Sequence, residues 1–309
     1  MQSSRRREDW GFFGPTSPTW KVWSSPTALV AFVRSVVVES FDPFLAAAVH
    51  EQNGVRSNPT GRLDRTLTYF LTVACGDARS ALRASDIVRR VHDRARGVEP
   101  ISGLPYSAND PASQLWIHVT GWHSNLLAFE RFGPGPLSPD EELRYWAECA
   151  RAAELQSCDP REVPRSRAEV RAYYARVRPR LCMSEHARAL VHYFLEPAPS
   201  WTEGPPSRLV AAAAVSTMPR WMRELAGVSQ SAVTDALVRP LARSLVSLAR
   251  RPRAMIAIAE HLAPSAVPLV TDLARKEAPV VDEVLTIASA RERCQREPSA
   301  RERTAVAPC

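Results

Sequence analysis

From Gly61 to Gly97 apolar residues recur every three to four positions, and the same period returns along most of the chain. No run of strict apolar–polar alternation and no hairpin signal interrupts it. One side chain every 100° places such residues on one face of a helix, which predicts an all-α fold and excludes a core built on a sheet. The pattern fits a single multi-helix globular domain with a globin-like helical core over residues 10–253 and additional C-terminal helices over 254–294. Residues 1–9 and the charged tail 295–309 are expected to be disordered.

Local signals set the helix ends. Ser25 followed by Pro26 opens a helix towards Phe41, and Asp42-Pro43 breaks it before a second piece, Phe44–Gln52. Gly76 separates two helices within 61–97. Asn109 or Asp110 with Pro111 starts another that Gly133 stops after Phe132. Ser138-Pro139-Asp140-Glu141 and the capping box Ser166-x-x-Glu169 are N-terminal signals, and Ser184–Leu195 follows. Further helices are predicted over Arg208–Ser216, Pro219–Ala226, Ser231–Arg250, Met255–Leu262, Ser265–Arg275 and Val280–Arg293. Gly11–Trp23 reads as an irregular lead-in whose aromatics line a helical core.

The net charge of +7 comes almost wholly from arginine, Lys21 and Lys276 being the only lysines. These arginines are spread over nearly every helix and nowhere cluster with interleaved aromatics, so no nucleic-acid partner is expected. The six cysteines form no CxxC pair and no dense framework, which predicts reduced thiols, with Cys75 and Cys149 as small core residues. The arginines near the start precede no apolar run, so no export signal is read there. Pro26–His50 is interrupted by Arg34, Glu39 and Asp42, so no membrane span is expected. A cytoplasmic protein is the resulting expectation, with association through the later helices left open.

Helical projection singles out a few polar residues. Arg62 and Thr66 share an arc with Tyr69, Phe70 and Val73, while Asp64, Thr68 and Thr72 fall on the opposite, wettable side. A guanidinium on an apolar face requires an anionic or strongly polar partner. The alternative is a helix-start arginine paired with a carboxylate, beside a threonine bonded to its own helix. On the next helix Ala84, Ile87, Val88, Val91 and Ala95 form the predicted apolar stripe. His92 stands on its edge in a column with Val88, Ser85 and Ala81, whose small side chains leave room beside an imidazole. His118 flanks the stripe of the helix after that, while His123 points elsewhere and is expected to be exposed. HExxH, paired ExxH, GxSxG and glycine-rich phosphate motifs are absent, and the seven histidines are too dispersed for a zinc site.

Arg62-x-x-Arg65-Thr66, followed by Val88-x-x-x-His92-x-x-x-x-Gly97, resembles the MpaB-type and latex-clearing oxygenases. The stretches FFGPTSPTW, GLPYSANDPASQLWIHVT and MPRWMRELAG extend the resemblance to roughly residues 10–250. It implies an all-α protein that binds haem b through one axial histidine, His92, with dioxygen as co-substrate and an apolar organic substrate. His118 is the rival ligand or a group hydrogen-bonded near the haem. Arg62 with Thr66 would orient dioxygen, and Arg65 would meet a propionate. Many relatives carry Lys where Arg65 stands, His-Pro where this chain has Asp42-Pro43, and a second His in place of Gln52. Glu39 and Asp42 are the acidic groups available as a proton acceptor, or else solvated or helix-capping carboxylates. A non-catalytic haem carrier or sensor is the alternative on the same fold.

Overall fold

The computed structural model describes residues 6–51, 58–196 and 205–296. Fifteen α-helices are set out among them. The first is α1 (Pro18–Trp23), followed by α2 (Ala28–Glu39), α3 (Pro43–Glu51), α4 (Pro59–Cys75) and α5 (Ala78–His92). A two-stranded hairpin, β1 (Arg96–Val98) and β2 (Pro105–Ser107), precedes α6 (Pro111–Phe132). Then come α7 (Pro139–Ala152), α8 (Arg167–Val177), α9 (Glu185–Leu195), α10 (Pro205–Ser216) and α11 (Arg220–Ala226). The C-terminal part comprises α12 (Ala232–Ala249), α13 (Pro252–Leu262), α14 (Val267–Arg275) and α15 (Ile287–Arg296). It is one mostly helical globular domain with extra C-terminal helices.

Helix α6 is the axis. Its predicted stripe of Leu115, Val119, Trp122, Leu126 and Phe129 is buried, but so are Trp116, His118, Thr120, Ser124 and Asn125 on its other sides. A helix enclosed all round needs partners for its polar groups. Thr120 donates to the Trp116 carbonyl at 2.7 Å, Ser124 accepts from the buried Arg34 guanidinium at 2.6 Å, and Asn125 donates to the Gly121 carbonyl at 3.0 Å. Helix α2 packs along α6, with α9 and α10 on its other flank. The capping residues act as read: Asp110, Ser138, Ser166 and Ser184 each accept from a first-turn amide.

The chain ends depart from expectation. Arg6 to Asp9, placed in a disordered terminus by the sequence, pair with the C-terminal segment: Val280 and Val281 donate to the Arg7 and Glu8 carbonyls, both at 2.9 Å. Farther along, Trp10 donates to Glu283 at 2.8 Å and Leu285 to Gly11 at 2.9 Å. The helix predicted from Val280 therefore begins only at Ile287, because these amides bond to the N-terminal segment instead. Two buried charges justify the arrangement. Arg7 reaches the Glu277 carbonyl at 2.6 Å and lies about 5 Å over the Trp10 and Trp20 rings, 5.0 and 5.2 Å respectively. Asp9 accepts from the Gly11 and Ala78 amides, each at 2.8 Å, and so caps the junction between α4 and α5.

Three further expectations need correction. Pro18–Trp23, read as irregular, is a helical turn capped by Ser17, whose hydroxyl accepts from Trp20 at 3.0 Å. A hairpin is present although no strand was expected: three residues per strand are too few to show alternation. On α5 the buried face is Ala78, Ala81, Leu82 and Ser85, whereas Ile87 and Val91 are more than half exposed, at 51% and 56%. The small-residue column that carries His92 faces inward, and the bulkier stripe faces out.

Gly11 has φ +69°, and a Cβ there would stand 2.1 Å from the Gly76 carbonyl oxygen. Gly11→Ala should therefore destabilise the fold by about 2 kcal/mol or more through combined strain and steric conflict. A lowered urea midpoint at unchanged m is the expected result, and an unchanged midpoint would mean that the clasp does not require this approach.

Candidate active site

A cavity of about 170 Å³ lies between α2, α4, α6 and the C-terminal helices. Ser35 and Glu39 face it from α2, Thr66, Leu67 and Phe70 from α4, and Gly121 and Asn125 from α6. Met255, Ile258, Ala259 and Leu262 of α13, with Val270 of α14, close the opposite wall. Trp23 seals one end, stacked on Phe70 with ring centroids 5.7 Å apart. A Cβ on Gly121 would meet nothing within 4 Å, so this glycine widens the floor. The lining is overwhelmingly apolar, as in sites that take organic ligands.

Glu39 is the acidic group of this cavity. Its Oε1 lies 3.2 Å from the Thr120 hydroxyl, and burial pushes its pKa up to about 8 against that hydrogen bond. The carboxyl thus carries its proton at neutral pH. Asp42, the other acidic candidate, is a helix cap: its Oδ1 accepts from the Phe44 and Leu45 amides at 3.0 and 3.1 Å. It does not line the cavity.

Of the predicted residues, Thr66 lines the cavity, while Arg62, Arg65, His92 and His118 do not. Thr66 donates to the Arg62 carbonyl at 2.9 Å, leaving its hydroxyl oxygen as an acceptor. Arg62, one turn earlier, is half-buried, and its pKa is lowered by burial and then by Arg65. Among the described residues no carboxylate forms an ion pair with Arg62 within 4 Å. Arg65 is exposed. Burial lowers the His92 imidazole pKa against a hydrogen bond with Asn109, and the Arg62 charge lowers it further. Nδ1 of His92 lies 3.3 Å from the Gln114 amide nitrogen. The room beside the small column is taken by Tyr69, whose phenol is pushed up by burial against hydrogen bonds from Ser85 and Gln156.

His118 is in a different setting. It is buried among Trp122 and Cys149, and its Nε2 donates to the Cys149 carbonyl at 2.8 Å. A void of about 10 Å³ is lined by His118 together with Tyr69, Phe70 and Gln156. Burial pushes the His118 pKa down to about 4, so it is neutral. His123, expected to be exposed, is half-buried, with Nδ1 3.3 Å from the Tyr174 hydroxyl. Gln52, at the position where relatives carry a second histidine, lies outside the described residues.

Comparison with protein families identifies residues 20–251 as the catalytic domain described as ER-bound oxygenase mpaB/B'/rubber oxygenase. The chain belongs to that family. It is a haem-binding oxygenase class. Curated proteins and solved structures give no match. The family's description as ER-bound overturns the expectation of a cytoplasmic protein. No helix among the described residues is long and apolar enough to cross a membrane.

The residues that sequence reasoning missed are those of α13 and α14, which lie beyond the family match and wall the cavity. Their helices were read from the spacing of Met255, Ile258, Ala259 and Leu262, but not their place beside a cavity. What no local pattern shows is that this face covers Leu67 and Leu71 of α4.

The shifted carboxyl gives a pH test. Below about pH 4.5, the ordinary value, Glu39 is protonated whether the chain is folded or not. Between there and about 8 only the unfolded chain ionises, so the native state binds the extra proton and stability falls as pH rises. Wild type should lose on the order of 4 kcal/mol across this window through Glu39, levelling off above it. Glu39→Gln should flatten that slope in urea titrations at several pH values, and an equal slope in both proteins would rule out a buried neutral carboxyl.

Proposed function

We propose that this chain is a haem b-dependent oxygenase that activates dioxygen to oxidise, or oxidatively cleave, an apolar organic substrate held in the cavity. The observation that carries the reading is the α4 column: Thr66 opens on the apolar cavity, and Arg62, one turn away, acts on His92. Family membership supplies the reaction class.

The residues fit the cofactor in donor chemistry. An imidazole kept neutral by burial is a competent iron ligand, and a half-buried guanidinium with no ion-pair partner among the described residues suits a propionate or a polarised oxygen. His92 would hold the iron through Nε2, with Nδ1 turned towards Gln114. Arg65, exposed beside Arg62, would meet a propionate. His118 suits a supporting role better, since its Nε2 is committed to Cys149. Haem b supplies the redox chemistry of dioxygen activation.

The protein's own part is orientation, exclusion of water and proton custody. Thr66 and Arg62 present an acceptor and a fixed positive charge along one column. The walls from α13 and α14 keep the substrate dry. Glu39, with a pKa near neutral, holds a proton at the cavity wall that it can release and take back.

Purified protein should show a Soret band, and His92→Ala should fold yet lack stoichiometric haem. Loss of haem in His118→Ala with retention in His92→Ala would overturn the ligand assignment. At matched haem content, Arg62→Ala should impair oxygen uptake and Arg65→Ala should mainly speed haem transfer to an acceptor protein. Each effect should be roughly ten- to a hundred-fold, the range for a lost charge-assisted hydrogen bond. Substrate-dependent oxygen uptake separates the oxygenase from a haem carrier or sensor.

A further inference from the structure

The hairpin after α5 has one covered face and one free face. Gly97 and Tyr106 pair across it on the covered face, where Tyr106 is buried with Phe44, Ala47 and Ala48 of α3 and its hydroxyl donates to Glu51. The other face carries Arg96 and Val98, with Pro105 opposite Val98, and all three are exposed. Residues 100–105 are exposed without interruption, and a Cβ on Gly103 would meet nothing within 4 Å, so the turn projects from the domain. Val98, Ile101 and Leu104 are each more than half exposed. The amides of this turn nonetheless have no need of water. The buried Glu99 carboxylate accepts from the Ile101 and Ser102 amides at 2.9 and 2.7 Å. The Glu99 carbonyl accepts from Gly103 at 2.8 Å, and the Ser102 hydroxyl accepts from Leu104 at 3.3 Å. At the base stand Arg94 and Arg96, both exposed and neither paired with a carboxylate among the described residues. Glu99 is the one carboxylate between them and Asn109, and the acids on either side are engaged. Asp93 accepts from the Asn109 side chain at 2.7 Å, and Asp110 from the Ser113 amide at 3.0 Å.

We propose that this turn docks the protein on an anionic lipid bilayer, with Ile101 and Leu104 entering the acyl boundary and Arg94 and Arg96 meeting lipid phosphates. A projecting turn closed by its own hydrogen bonds offers no groove to a folded partner and suits a soft surface that yields to it. The acyl boundary supplies few hydrogen bonds, so a loop enters it at low cost only when its amides are already satisfied, as they are here. Charge and depth agree with that placement. Arg96 lies two residues, roughly 7 Å, behind Val98 on the same strand face, which sets a guanidinium at headgroup level when the tip lies deeper. The exposed apolar stripe of α12, with Val233, Leu237 and Leu241, lacks this match, because helical projection turns Arg239 and Arg243 away from it. No hairpin residue lines the cavity, so the surface is separate from the proposed substrate site.

The test is co-flotation of the full-length purified protein with vesicles. Vesicles of phosphatidylcholine mixed with phosphatidylserine should bind it roughly tenfold or more tightly than vesicles of phosphatidylcholine alone, and added salt should weaken that binding. Ile101→Ser combined with Leu104→Ser should lower the affinity about tenfold. Arg94→Gln combined with Arg96→Gln should lower it by a similar factor and remove most of the salt dependence. Leu104→Trp should strengthen binding severalfold, a gain that a misfolded variant does not produce. Leu237→Ser on α12 should leave binding unchanged. Absence of binding to the mixed vesicles, equal affinity for the two vesicle types, undiminished binding by the serine pair, or no gain from Leu104→Trp overturns the proposal. Loss of binding in Leu237→Ser overturns it in favour of α12. A concentration-dependent dimer that the serine pair abolishes overturns it in favour of a second copy of the chain. Flotation is read without reference to haem, so this proposal and the oxygenase reading fail separately.

Discussion

Everything in this structure depends on α4 being covered on two sides. Its inner face, with Tyr69, Phe70 and Val73, packs on α1 and α5 as an amphipathic helix should. The other side was expected to be wet, yet Asp64 receives the Ser265 amide at 2.9 Å and its hydroxyl at 2.7 Å. Those two bonds dock the turn between α13 and α14, and Leu67 and Leu71 then pack against Ala259, Ala263, Ala266 and Val270. The helix that carries Arg62 and Thr66 is thereby fixed between the family's core and a C-terminal layer outside the matched segment.

That double cladding also makes the cavity. Protein interiors are close-packed, and a void that neighbouring side chains could fill costs dispersion energy. Here the facing residues are short where a larger side chain would close the space: Gly121 on α6, Ala249 on α12, Ala259 and Ala263 on α13, and Ala266 after it. The long residues, Phe32, Met255 and Ile258, surround the space instead. A helical protein under selection for stability alone would fill such a gap, so its shape is best understood as a binding volume.

How much of this could be read in advance differs by level. Helix ends were legible at most positions that cap chemistry marks, as with the capping box at Ser138 and Glu141 or the stop at Gly133, but the start read at Ser25-Pro26 is a turn and that helix begins at Ala28. The ends of the chain were not, because Arg7 and Asp9 look like solvated charges until Glu277 and Ala78, distant in sequence, supply their partners. The orientation of α5 was misread for a related reason: Ile87 and Val91 outweigh Ala81 and Ser85 in any apolar count, while packing against Tyr69 favours the small column. At the site, periodicity located Thr66 and Arg62 on one arc, and only the fold reveals that Glu39 joins the first and His92 the second.

The electrostatics of the column follow from burial. Glu39 is pushed up until it is neutral at pH 7, and His92 is pushed down so that it too is neutral. Arg62 is shifted in the same sense as His92, but a guanidinium does not lose its proton in this range. Between the cavity and the imidazole one permanent positive charge therefore remains, half removed from water and without an ion-pair partner among the described residues. Water still reaches part of that guanidinium, which limits the cost of holding the charge there. Of the three groups, Arg62 is thus the one that keeps its charge at pH 7, while the cavity wall beyond Thr66 stays apolar.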